Sequence, residues 1–488
     1  MNRQIRIIAL IALVLFAALF VNLNWVQLVD AQHLANNPNN IRVLLRDYAI
    51  QRGPILTADQ KDAAVSQHTP NDAYKWERSY PAGSLYSDVT GYYSLVYGSN
   101  ELENSQNSVL TGQGGRLTMQ SLSDQLLGNG TTGNTVVLTI QSQLQQVAST
   151  ALGNHKGAVV ALDPNTGAIL AMVTSPTYDP TGLASHDNNS IVSAWKQLQA
   201  DPDQPMLNRA TSATFPPGST FKVITAAAAL ENGIGVSTTY APASSFLPAQ
   251  TTQAIQNFGG ETCGGDMSEA FTVSCNAYFA KLGTQLPQGA LATTAAAFGF
   301  GSTPDIGIPL APSKIGTADE LASPAYAAQS AIGQYNDAAT PLQMAMVAAA
   351  VANQGKIMKP YLVQETRDPG GNVLSETKPQ LWKTAMDTQT DAIITQMMEQ
   401  VVNSPNGTGT AAKIQGVTVA GKTGTAQNAP GQAPHAWFIA FAPAQAPRIA
   451  VAVLVENGGN LGSDATGGLV SAPIAKQVIE ADRAVEGW

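Results

Sequence analysis

Residues 7–21 carry no polar side chain, and the apolar character continues through Leu23, Trp25, Val26 and Leu28. A helix needs about 20 such residues to cross a bilayer, so the chain is predicted to begin with a membrane span and not with part of a water-soluble core. Arg3 and Arg6 precede the run, while Asn22, Asn24 and the interfacial residue type Trp25 close it. This bias of basic residues places the N-terminus in the cytoplasm and everything beyond residue 29 outside. The length of the span favours an uncleaved anchor over a cleaved signal peptide, whose apolar region is normally roughly 7 to 15 residues and is followed by a small-x-small site.

An extracytoplasmic address sets the chemistry of the two cysteines, Cys263 and Cys275. They are expected to form the one intramolecular disulfide available to them, the alternative being two reduced buried thiols. With five scattered histidines and no Cys-x-x-Cys or His-x-x-x-His pair, zinc chemistry is disfavoured. A net charge of −9 without any Lys/Arg-rich run removes the electrostatic footprint of a nucleic-acid partner. The 488 residues correspond to about three units at a domain size of roughly 150. A 44% hydrophobic content excludes overall disorder even though charged residues are scarce.

Residues 30–135 are rich in Asn, Gln and Ser, with turn-prone stretches at 51–54 and 112–115, and read as an extended, loop-rich module. A Gly/Thr-rich linker spans 128–133, and 135–152 reads as a strand running into a helix. The apolar, β-branched runs 157–162 and 168–174 are separated by Asp-Pro-Asn-Thr-Gly, which predicts a hairpin. A second pair, 436–441 and 449–455, flanks a Pro/Ala/Gln loop, and 471–485 has helical periodicity. Strand pairs at both ends of a long Ala-rich, helix-prone middle predict an α+β fold, one sheet assembled from both ends with helices packed on it.

Pro216-Pro217-Gly218 followed by good helix formers up to Asn232-Gly233 marks a helix start and stop. Ser219 is thereby placed in the first turn, where free N–H groups and the helix dipole favour an oxyanion. Lys222, three residues on, presents its amine on the same face within reach of the serine hydroxyl. A serine needs a base to become a nucleophile, and with no suitable histidine nearby that base would be Lys222, kept neutral by desolvation and a second cation. Ser-x-x-Lys alone is weak, since Ser193 with Lys196 and Ser375 with Lys378 also match. Ser-x-Asn occurs at Ser274 and Asn276 but also at 105–107 and 404–406. Lys-Thr-Gly occurs once, at Lys422, Thr423 and Gly424, after the β-type run 416–420 and before Thr425. There a strand edge is predicted, with Gly424 allowing another peptide backbone to approach closely. His435 reads as a surface histidine, and Trp437 and Phe438 as core or groove wall.

The order of the three motifs carries more than any single one. Ser-x-Asn follows Ser-x-x-Lys by 55 residues, and Lys-Thr-Gly-Thr follows 148 residues later. This is the signature set of the serine penicillin-recognising enzymes, and the chain resembles a class B penicillin-binding protein in a compact, singly anchored form. Residues 157–164, Asn208-Arg209-Ala210 and Ala436-Trp437-Phe438 support the likeness, as do, more loosely, 52–56, Gly91-Tyr92, Tyr97-Gly98 and Glu101.

The resemblance implies a cytoplasmic stub and anchor (1–29), a pedestal or dimerisation-like domain (30–140) and a penicillin-binding transpeptidase domain (141–488). That last domain is of the serine β-lactamase/transpeptidase type, an antiparallel sheet with flanking helices plus an all-helical lobe. It implies a peptidoglycan D,D-transpeptidase in which Ser219 attacks D-alanyl-D-alanine and Lys222 is the base. Ser274 would relay a proton to the leaving amine, Asn276 would orient Lys222 and the substrate amide, and Lys422 would hold Lys222 neutral. Thr423 and Thr425 would bind the terminal carboxylate, the N–H groups of Ser219 and Thr425 would form the oxyanion hole, and the stem peptide would add along residues 424–426. No cofactor or metal is implied. The implied partners are stem peptides, β-lactams, the lipid bilayer and a polytopic glycan polymerase with other division or elongation proteins. The rival readings are a membrane-anchored serine β-lactamase and a β-lactam sensor or D,D-carboxypeptidase.

Overall fold

Helix α1 (Asn2–Leu28) opens the computed structural model, which describes residues 2–28, 48–70, 72, 74–112, 132–427 and 431–488. The predicted turn beyond Gly112 and the predicted linker up to residue 131 lie outside the described residues. Among them α1 is the one helix long and apolar enough to cross a membrane. Its large apolar side chains, from Ile5 to Val26, are exposed along its length, as a lipid-facing helix requires.

Along the chain follow β1 (Ile55–Leu56), β2 (Asp62–His68), β3 (Trp76–Ser79), β4 (Thr135–Leu138) and helix α2 (Ser142–Leu152). Next come the hairpin strands β5 (Gly157–Leu162) and β6 (Ile169–Ser175), then helices α3 (Lys222–Glu231), α4 (Met267–Thr272), α5 (Asn276–Gly283) and α6 (Pro341–Ala352). A second hairpin, β7 (Val363–Arg367) and β8 (Val373–Glu376), precedes helix α7 (Thr388–Asn403). Strands β9 (Ala420–Ala426), β10 (His435–Ala442) and β11 (Ile449–Val455) and helix α8 (Ala472–Glu486) complete the chain.

The predicted sheet from both ends of the chain is present, in the order β9-β10-β11-β5-β6 with every neighbour antiparallel. All residues of β5, β10 and β11 are buried, which fits their unbroken apolar sequences and means that both faces are covered. Alternate residues divide between two cores, as the two-residue strand period demands. Val160, Trp437, Ile439 and Phe441 join the core that contains α6, and Val159, Phe438 and Ala440 join the one with α2 and α8. Helix α6 is buried at every position, the condition that suits a helix apolar all round, and Thr340 caps it by accepting from Gln343 N–H. Strand β9 begins only at Ala420: the run 416–419, expected to be extended, makes a turn and an isolated bridge between Ile414 and Val417.

A second sheet runs β8-β7-β4-β1-β2-β3. Its strands β7 and β8 come from beyond α6, so the sheet crosses the boundary at residue 140 that the sequence suggests. The Thr139 hydroxyl bonds the carbonyls of Ile169 (2.7 Å) and Tyr361 (3.1 Å), and Gln145 reaches Leu85 O and Met172 O at 2.9 and 2.7 Å, fastening this sheet to the central one. Beneath it the fully buried Glu103 takes the guanidinium groups of Arg52 and Arg78, each at 2.6 Å.

Candidate active site

Ser219 lies in a turn of 3₁₀-helix (Gly218–Phe221) that leads into α3, one turn earlier than the regular α-helix in which the sequence places it. The turn is held from two sides. Gly218 has φ 53°, its N–H donates to Gly333 O at 2.9 Å, and a Cβ on it would fall 2.9 Å from both Ala426 Cβ and Thr425 O. Phe215 and Ala339 exchange backbone hydrogen bonds just upstream, and Trp437 Nε1 donates to Pro216 O at 2.9 Å. The turn that carries Ser219 is thus pinned to strand β9, strand β10 and the segment before α6.

Lys222 opens α3 with a fully buried side chain. Its Nζ donates to Ser274 O at 2.6 Å and Asn276 Oδ1 at 2.8 Å, and lies 3.4 Å from Ser274 Oγ. Lys422, also fully buried, donates to Ser274 Oγ at 2.9 Å and Thr423 O at 3.1 Å. The three motifs predicted to converge therefore do so around Ser274 Oγ. The Ser219 hydroxyl is half-buried beside them and makes no hydrogen bond among the described residues, so the direct contact expected with Lys222 is not made in this state. Such contacts commonly close only with substrate present.

Burial first, and then the nearby charge of Lys422, hold the Lys222 amine well below the ordinary lysine range. Burial brings the Lys422 amine down to about 7. A neutral Lys222 amine has two N–H bonds and one lone pair. With both protons given to Ser274 O and Asn276 Oδ1, the lone pair is left to accept a proton.

Ser274 itself has φ 61°, in the left-handed region that a non-glycine residue enters at a cost of about 1–3 kcal/mol, a strain typical of functional sites. Its position is fixed by its neighbours. Cys275 is the N-cap of α5 and is bonded to Cys263, as the cysteine count anticipates. The buried Asn257, which nothing in the sequence singles out, accepts from Ala277 N–H at 2.8 Å and donates to Ala243 O and Glu261 O at 2.8 and 2.7 Å. Asn276 Nδ2 donates to Gln256 O at 3.0 Å.

Lys422, Thr423, Gly424 and Thr425 lie within β9, opposite Ile439, Phe438, Trp437 and Ala436, and β9 is an edge of its sheet. Thr423 is buried and Thr425 half-buried. Gly424 is also held to its small size by packing inside the protein: a Cβ there would stand 2.9 Å from both Thr220 Cγ2 and Trp437 Cβ and 3.0 Å from Pro217 O. Its small size lets the strand pack on the turn that carries Ser219. His435, expected at the surface, is buried, with its ring edge-on to Phe215 and Nδ1 accepting from Asn457 N–H at 3.2 Å. Burial pushes its pKa down despite Glu456 nearby. Trp437 and Phe438 are core residues. The competing Ser-x-x-Lys matches are surface features, with Ser193, Lys196, Ser375 and Lys378 all exposed.

Residues 157–480 match the penicillin-binding protein transpeptidase domain model, and residues 52–136 match the penicillin-binding protein A dimerisation domain model. The chain is 42% identical to the peptidoglycan D,D-transpeptidase PbpA of Mycolicibacterium smegmatis over 499 residues, covering 99% of each chain. It is 41% identical over 498 residues to its namesake in Mycobacterium tuberculosis, again with 99% of each covered. Among solved structures, penicillin-binding protein A of M. tuberculosis as its penicillin G acyl-enzyme matches with TM-score 0.83 at 40% identity, covering 88% of this chain and 99% of that one. The imipenem acyl-enzyme of the same protein matches equally, with TM-score 0.83 at 40% identity over 89% and 99% of the two chains.

Proposed function

The chain belongs to the penicillin-binding protein transpeptidase family, and on that premise we propose that it is a peptidoglycan D,D-transpeptidase working through an acyl-enzyme on Ser219. The Ser219 hydroxyl attacks the carbonyl carbon of a D-alanyl-D-alanine bond while the lone pair of Lys222 takes its proton. The N–H groups of Ser219 and Thr425 receive the developing oxyanion, a kind of contribution worth about 3 kcal/mol per donor. As the C–N bond breaks, the proton passes by way of Ser274 to the leaving D-alanine nitrogen. Thr423 and Thr425 hold the terminal carboxylate, and the donor peptide lies as an added strand along the free edge of β9. An amine of a second stem peptide then attacks the ester, and the serine regains its proton. A β-lactam opens on the same serine, but its leaving nitrogen remains tethered to the acyl group.

One observation carries this reading: a fully buried Lys222 amine, favoured in its neutral form by burial and by its cationic neighbour, whose two N–H bonds are taken by carbonyl oxygens so that its lone pair is left to accept a proton. Mass spectrometry after exposure to a labelled penicillin should find the adduct on the tryptic peptide that holds Ser219, and Ser219→Ala should abolish it. Labelling that persists in the variant would refute the assignment, and rapid release of hydrolysed drug would point instead to a β-lactamase.

The anchor α1 is read with its N-terminus in the cytoplasm and the catalytic domain outside, from the positions of Arg3 and Arg6. The partner inferred for the pedestal is a polytopic polymerase that makes the glycan strands to be linked. Affinity capture of the full chain from membranes should recover it, and capture without any polymerase counts against this partner alone.

A further inference from the structure

The Thr423 hydroxyl, read above as a ligand of the substrate carboxylate, has a partner in the protein. Thr408 Oγ1 lies 2.6 Å from Thr423 Oγ1. Thr408 belongs to the loop that leaves helix α7, sits just after one of the chance Ser-x-Asn matches, and is exposed, whereas Thr423 is buried. The loop is held rigidly. Gly409 N–H donates to Val401 O at 2.9 Å, and Gly407 N–H donates to Ser404 O at 3.0 Å. A Cβ on Gly407 would fall 2.2 Å from Val401 O, and one on Gly468 would fall 2.2 Å from Thr408 O. Glycines on both sides thus seat the Thr408 backbone between the end of α7 and the turn before α8.

A hydroxyl has one proton to give. If Thr423 donates to Thr408, it has none left for a carboxylate. If Thr408 donates to Thr423, the Thr423 proton is free to point at the anion, and the two bonds in series strengthen each other. We propose that Thr408 is a positioning residue for donor-peptide binding: it donates to Thr423 and so directs the Thr423 proton to the terminal carboxylate of the substrate. This rests on the reading of Thr423 as a carboxylate ligand. Neither motif geometry nor strand register assigns Thr408 such a part, because it reaches the site only through another side chain.

The test compares the second-order acylation rate of the full chain by benzylpenicillin, which carries the carboxylate, and by its methyl ester, which does not. Thr408→Val is expected to slow acylation by benzylpenicillin roughly fivefold to tenfold, the scale of one hydrogen bond in a chain ending on a charged group, and to leave the ester's rate unchanged. Thr408→Ser should restore the rate, and in a Thr423→Val background Thr408→Val should add nothing further. A Thr408→Val enzyme that matches wild type, that loses the same factor on both donors, or whose loss adds in full to that of Thr423→Val overturns the proposal. Thr423→Val separates the two levels. If it slows benzylpenicillin while Thr408→Val does not, only the role of Thr408 falls. If Thr423→Val itself has no effect, the carboxylate reading falls and the proposal with it.

Discussion

Two buried lysines share one serine oxygen, and the free energy of charging either amine depends on the state of the other. Desolvation is the larger influence on Lys222 and the charge of Lys422 the smaller, whereas Lys422 is lowered by burial. On the proposed role of Lys222 as base, acylation requires its neutral form, and the rate should fall as pH drops and that amine takes up a proton. Replacing Lys422 with Gln removes the repulsion and raises the Lys222 pKa. The acid limb of the pH–rate profile should therefore move to higher pH, though only in part, since burial stays. A limb that does not move would show that Lys422 has no electrostatic hold on Lys222. Gly424→Ala is a steric test of the same site: its Cβ meets Thr220, Trp437 and Pro217 within 3.0 Å, so it should destabilise the protein by about 1–3 kcal/mol and slow labelling, read by thermal melts and penicillin acylation. Ser219, Lys222, Ser274, Asn276 and Lys422 were legible because their order along the chain is itself a pattern. Asn257, Gly333 and Thr408 were not, since each acts from an aperiodic loop through a contact that exists only after folding. His435 was misplaced for the same reason: its cover, Phe215, arrives from a distant part of the chain.

Among the elements, the short path from β-strand Cys263–Gly265 to helix α5 bears directly on the proposed site. The Cys263–Cys275 bond ends between Ser274 and Asn276, so it ties down the turn that presents both. Replacing both cysteines with serine should lower the stability measured by chemical denaturation by roughly 2 to 3 kcal/mol. It should also slow acylation, because the left-handed Ser274 depends on its surroundings to stay in place. Unchanged acylation in the double variant would mean that Asn257 and the α5 cap suffice. The strands of the central sheet could be read from sequence because they are short, apolar and bounded by turn residues. Strand β9 starts later than the strand-like composition of residues 416–419 suggests, since Val417 N–H closes a local turn on Ile414 O while Thr418 O and Val419 O accept from Ala444 N–H and Asn403 Nδ2 instead of from a ladder partner.

At the scale of the molecule, one sheet draws its strands from both sides of residue 140. Strands β7 and β8 come from the catalytic portion and complete the sheet begun by β1 to β4, and no local pattern in 363–376 announces that partner. A fragment of residues 48–140 lacks these strands and should show no cooperative thermal transition, while the chain without residues 1–28 should melt cooperatively and still be labelled by penicillin. An independently folding fragment would show that the shared strands are dispensable. The Thr139 and Gln145 bonds across the seam add to this. Swinging one portion against the other at this seam would require ladder hydrogen bonds of the shared sheet to part, so the stalk is stitched against bending where a plain linker would give way.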